Sequence, residues 1–159
     1  MRLASSVLAS VAGLLLFASL MSLPHQSTRA GAPLLEGAHI SPRVRAIIER
    51  SCRDCHSEST DYPWYSYVAP VSWLINKDVK RGREHLNFST WNEYSVIRRE
   101  RCLSEIANQV QDGGMPLPSY TLIHRHAKLS EADVKAIFEW TQQERLRLIT
   151  DAQAAGSRP

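Results

Sequence analysis

The sequence predicts an all-α domain, and three observations carry that reading. Apolar residues recur at helical spacing in stretch after stretch beyond residue 40. Those stretches are bracketed by helix start and stop residues, and no alternating series suggests a sheet. The first of them runs straight into Cys52-Arg53-Asp54-Cys55-His56. That run reads C-x-x-C-H, the attachment sequence of a c-type haem. Two residues between the thiols hold both sulfurs over one porphyrin edge, and His56 follows as the proximal iron ligand. A redox disulfide, half of a zinc site and coincidence are the competing readings of the cysteine pair.

The chain has 159 residues, enough for one domain with a modest core. Three cysteines exclude a disulfide framework, and 43% hydrophobic residues exclude a disordered chain. Removing Arg2 and Arg29 from the 19 basic residues leaves 17 against 16 acidic ones, so nothing points to nucleic acid.

Residues 1–30 read as a signal peptide or an N-terminal membrane anchor. Arg2 precedes an uncharged apolar run from Val7 to Leu23, a positive n-region before an h-region. A cut after Ala30, with Thr28 three residues before it, is the imperfect cleavage point. The run is at the short limit of a spanning helix. Either reading puts residues 31–159 outside the cytoplasmic membrane, where a bacterium joins haem to cysteines.

Gly31 to Ile40 reads as a loop or linker. Ser41-Pro42 is an N-cap followed by proline at the first helical position. Val44, Ile47 and Ile48 then share one helix face. Pro63 keeps the Tyr62-Pro63-Trp64-Tyr65 stretch out of helix. Trp64 and Tyr65 are candidates to wall the haem or to bond a propionate; ordinary aromatic packing is the alternative.

Pro70 opens a second helix carrying Val71, Leu74, Ile75 and Val79, which Gly82 weakens or ends. Its Lys77, Lys80, Arg81 and Arg83 form either a solvated face or a docking patch for an acidic redox partner. Thr90 and Glu93 predict a capping box for a third helix carrying Trp91, Tyr94, Ile97, Leu103, Ile106 and Val110. Gly113-Gly114 stops it, and Cys102 inside it reads as a small buried hydrophobe.

Met115 follows the two glycines and precedes Pro116-Leu117-Pro118, which stiffen the loop against helix. A thioether there is a candidate sixth iron ligand, with a core methionine as the alternative. His124 and His126 are the competing axial candidates, with His85 a weaker one. Tyr120, Leu122 and Ile123 are expected to pack beside Met115. Ser130 to Asp133 caps a last helix reaching about Ile149.

With these blocks in hand, the chain resembles the small haem-binding-domain family of c-type cytochromes. The likeness covers about Ser51 to Trp140. It includes C-x-x-C-H-S at Cys52–Ser57, Y-P-W-Y-S at Tyr62–Ser66 and P-V-S-W-L at Pro70–Leu74. It continues through D-V-K-R-G-R at Asp78–Arg83, L-N-F-S-T-W at Leu86–Trp91, G-M-P-L-P-S-Y at Gly114–Tyr120 and K-L-S at Lys128–Ser130. The resemblance implies a cytochrome c-like helical domain wrapped around one covalent haem, with Cys52, Cys55 and His56 as attachment and proximal ligand. It places Met115 where such cytochromes carry the distal ligand.

The function expected is a monohaem c-type cytochrome carrying single electrons in the periplasm, with redox proteins as partners and no catalytic residue. One alternative is a haem peroxidase or ligand sensor with an open iron position. The other is a structural zinc module using Cys52, Cys55, His124 and His126.

Overall fold

The computed structural model describes residues 2–21 and 31–156. Every regular element among them is helical. The expected cleavage point at Thr28–Ala30 and the last residues of the Val7–Leu23 run lie outside the described residues.

Helix α1, Arg2–Met21, exposes Val7, Leu8, Leu14, Leu16 and Phe17. It meets the rest of the chain near its end, where the Ala69 N–H donates to Ser19 Oγ at 3.0 Å. No helix among the described residues is long and apolar enough to cross a membrane.

Helix α2, Pro42–Ser51, begins as the sequence predicts: Ser41 Oγ accepts from the Val44 N–H, and Pro42 is the first helical residue. Its apolar stripe of Val44, Ile47 and Ile48 is fully buried. Cys52 bends the chain into the single-turn α3, Arg53–His56.

Helix α4, Val71–His85, runs through Gly82 instead of ending there. Gly82 lies against α3, and a Cβ on it would sit 2.5 Å from the Cys55 carbonyl oxygen. The missing side chain is what lets the two helices touch.

Between α4 and the next helix, Asn87 Oδ1 accepts from the Ser89 N–H and starts a short 3₁₀ helix, Phe88–Glu93. The expected Thr90–Glu93 capping box is therefore not the helix start. Helix α5, Val96–Gln111, starts at Ser95, whose Oγ accepts from the Arg98 N–H. Trp91 is buried before the helix begins.

Pro118 is the first residue of a short α6, Pro118–Ile123, so the stiff loop after Met115 ends sooner than expected. Helix α7, Glu131–Gly156, outruns the expected end at Ile149. At its start Ser130 Oγ accepts from the Asp133 N–H, and Asp133 Oδ2 accepts from the Ser130 N–H, the reciprocal box the sequence predicts.

α5 and α7 pack along each other. Leu103 of α5, Trp140 and Leu148 of α7, and Val44 and Ile48 of α2 form the main core with Leu35, Phe88 and Trp91. Cys102 is buried in it, as expected. The 31–40 stretch is no free linker. Leu35 is buried, and the Trp140 Nε1–H donates to the His39 carbonyl at 2.9 Å. The core thus fixes α2, and α2 presents the cysteine motif at its end.

Candidate functional site

The site starts where α2 stops. Cys52 packs on the main core, while Cys55 and His56 follow on the turn of α3 against α4. All three cysteines are free thiols. Burial pushes Cys52 up to about 12, with Cys55 adding to the effect and Arg50 opposing it. Cys55 rises to about 11, through burial first and then the Asp54 and Asp78 carboxylates. Both sulfurs are neutral thiols. Redox C-x-x-C pairs have the opposite setting, a depressed thiol pKa.

His56 Nδ1 lies 3.0 Å from the Leu86 carbonyl oxygen. A carbonyl only accepts, so Nδ1 carries the proton. Burial lowers the imidazole's affinity for a second proton, against the pull of the Leu86 and Gly82 backbone. The ring is neutral, with an unprotonated Nε2. This orientation by a backbone carbonyl is what a metal-ligating histidine needs. Arg83 secures the following loop: its Nε–H donates to the Ser57 carbonyl at 2.8 Å and its NH2 group donates to Thr60 Oγ1 at 2.9 Å.

A cleft opens beside Cys55. Its inner part, about 110 Å³, lies between α4 and α6 and is lined by Cys55, Tyr65, Leu74, Tyr120 and His124. An adjoining part of about 400 Å³ shares Asp54, Tyr120 and His124. Two polar contacts span it. Tyr65 Oη lies 2.6 Å from His124 Nε2, and Tyr120 Oη donates to Asp54 Oδ2 at 2.7 Å. Tyr120 and His124 stack at 4.3 Å. A larger groove of about 800 Å³ borders none of Cys52, Cys55 and His56.

The sequence candidates therefore separate. Cys55, Tyr65 and His124 line the cleft, whereas Cys52 and His56 line neither part of it. Trp64 lines neither part; it is 78% exposed and meets Tyr65 edge-on. Met115 is half-buried on its loop, with its N–H donated to the Gln109 carbonyl at 3.1 Å, and it lines neither part. Leu122 and Ile123, expected to pack beside Met115, are 75% and 61% exposed, since their short helix lays few residues on the body. The zinc alternative is not assembled: among the described residues no group of three or more His, Cys, Asp or Glu converges. His124 is held by Tyr65 and Tyr120, and Cys52 packs on the core.

Sequence reasoning missed the Leu86 carbonyl, the role of Gly82 and the Tyr120–Asp54 contact. Only Gly82 left a signal, a glycine inside a helical pattern, which marks a close approach as well as an end.

The haem-binding domain family matches residues 12–143. The chain belongs to this haem-binding domain family. The haem-binding domain is also 26% identical over 100 residues to the cytochrome c peroxidase Ccp of Escherichia coli (strain K12). That match covers 61% of this chain but 22% of the peroxidase, so the chain spans about a fifth of that relative. No solved structure matches it. The residues present fit the family's cofactor. Two free thiols and one neutral, oriented imidazole stand within five residues, and Cys55 among them lines a cleft whose two parts together reach the usual size of ligand sites, about 300–1,000 Å³.

Proposed function

We propose that this haem-binding domain is a monohaem c-type cytochrome that carries single electrons on the periplasmic side of the membrane. The observation that carries the reading is the His56 Nδ1–H bond to the Leu86 carbonyl, directly after two free thiols. Cys52 and Cys55 supply the two thioether sulfurs, and His56 Nε2 supplies the proximal ligand. When bound, the iron porphyrin supplies one-electron ferrous–ferric chemistry. The chain's own part is to hold the ligands still and keep water away. The core behind Cys52, the α3–α4 contact at Gly82 and the Arg83 clamp do the holding. Tyr65 and the exposed apolar edges of Leu74 and Ile123 cover the cofactor face.

Met115 is the distal ligand in this proposal. Its loop follows Gly113 and Gly114, and a thioether holds a higher potential than a second imidazole. Redox proteins are the partners, and the N-terminal segment attaches the chain to the cytoplasmic membrane or is removed on export.

Mass spectrometry of the chain made with c-type maturation machinery tests this. One haem-mass increment, diminished in Cys52→Ala or Cys55→Ala and lost when both thiols are replaced, is the expected result. A coloured product with unmodified polypeptide mass refutes the covalent site. The alternative is an open iron position with peroxidase or sensor chemistry, which a match to 22% of a cytochrome c peroxidase does not favour. Rapid stoichiometric binding of carbon monoxide by the ferrous protein selects that reading instead.

A further inference from the structure

The Ala69 N–H donates to Ser19 Oγ and so joins helix α1 to the 64–74 stretch. The stretch on either side of Ala69 exposes several large apolar side chains. Trp64 and Trp73 are 78% and 53% exposed, and Tyr67 and Val68, between them in sequence, are exposed as well. On α4, Trp73 lies on the helix face opposite the cleft-lining Val71, Ile75 and Val79. The cleft therefore gives no account of Trp73. Lys77, Lys80 and Arg81 follow on the exposed side of the same helix.

We propose that Trp64, Tyr67 and Trp73 form an aromatic collar that seats this face of the domain on a lipid bilayer. The proposal deepens the membrane attachment given above. Several features of this face and of α1 fit a bilayer interface. Trp and Tyr rings concentrate at headgroup level, where an apolar body and a polar edge are both satisfied. Helix α1 presents Val7, Leu8, Leu14, Leu15, Leu16 and Phe17 around its circumference, so it has no face suited to water. Its end is fixed to the middle of the collar, which makes the collar continuous with the apolar helix. The family match starts at residue 12, so the second half of α1 belongs to the matched unit. The lysines and arginine beyond Trp73 suit the phosphates of anionic lipids. Seating the collar requires contact with the interface and no crossing of the bilayer.

The test uses the full chain with its haem in phosphatidylcholine vesicles containing a minority of phosphatidylglycerol and a diazirine-bearing phosphatidylcholine. After illumination, lipid adducts are mapped by mass spectrometry. Adducts are expected on α1 and on the peptide covering 54–77, at Trp64, Tyr67 and Trp73. Peptides carrying the exposed Ile97 and Leu146 are expected to stay unmodified. Adducts confined to α1 overturn the proposal, as do equal yields at Ile97 and Leu146. So does a chain–chain contact that covers the collar and leaves it unlabelled. The haem absorbance of the same sample separates the two ideas: a colourless chain labelled at the collar sinks the electron carrier and keeps the seat.

Discussion

At the scale of single residues, Gly82 decides whether the site can form. Alanine is the better helix former by about 1 kcal/mol. Here its Cβ would meet the Cys55 carbonyl oxygen at 2.5 Å, and backbone cannot step aside as a flexible side chain does. Sterics win, and Gly82→Ala is expected to destabilise the fold by about 1–3 kcal/mol, the usual cost of overpacking. Denaturant unfolding measures that loss, and haem absorbance should fall with it. Met115 and His124 compete for the distal side. Met115→Ala is expected to change the ferric spectrum and lower the reduction potential, whereas His124→Ala leaves the spectrum in place. The reverse outcome transfers the distal role to His124. His56 was a candidate because C-x-x-C-H names it. Its orienting partner was not, because a backbone carbonyl 30 residues away leaves no mark on composition or spacing.

At the scale of elements, α6 is the least secured wall of the cleft. It is six residues long, exposes Leu122 and Ile123, and is tied across the cleft by Tyr120 to Asp54 and, at its end, by His124 to Tyr65. Tyr65→Phe removes one of those ties and is expected to cost about 1 kcal/mol. Hydrogen exchange should rise over 117–124 and stay unchanged in α5. The helices with matching caps and stripes, α2 and α7, were legible from the sequence. The start of α5 was not, because two cap signals stood five residues apart. Asn87 and the buried Trp91 drew the first turn into a 3₁₀ helix, and Ser95 took over the cap. The cleft itself was only half legible. Tyr65 was expected in it, but Trp64 and Tyr65 are neighbours that end on different surfaces, and no period in a four-residue loop distinguishes them.

At the scale of the whole molecule, the two ends of the domain hold each other. Glu144, 1% exposed, accepts from Arg147 Nε–H at 2.8 Å and from the His39 N–H at 3.3 Å. Arg147 also reaches the Gly37 carbonyl at 3.2 Å. Glu144→Ala leaves the His39 amide without its acceptor and Arg147 with only Asp151 and the Gly37 carbonyl, and an unmet partner of this kind costs about 1–3 kcal/mol. Thermal unfolding of the haem-loaded chain should show the drop, with an unchanged ferric spectrum, since neither residue borders the cleft. The same stitching sets a timetable for biosynthesis. A polypeptide emerging from its N-terminus offers Gly37, His39 and Leu35 early, yet their companions Trp140, Arg147 and Leu148 arrive almost last. The core cannot close before then, and contacts so distant along the chain form slowly. Through that interval the core against which Cys52 later packs is incomplete. Any apparatus that must reach the Cys52 sulfur therefore has its widest opening before α7 is in place.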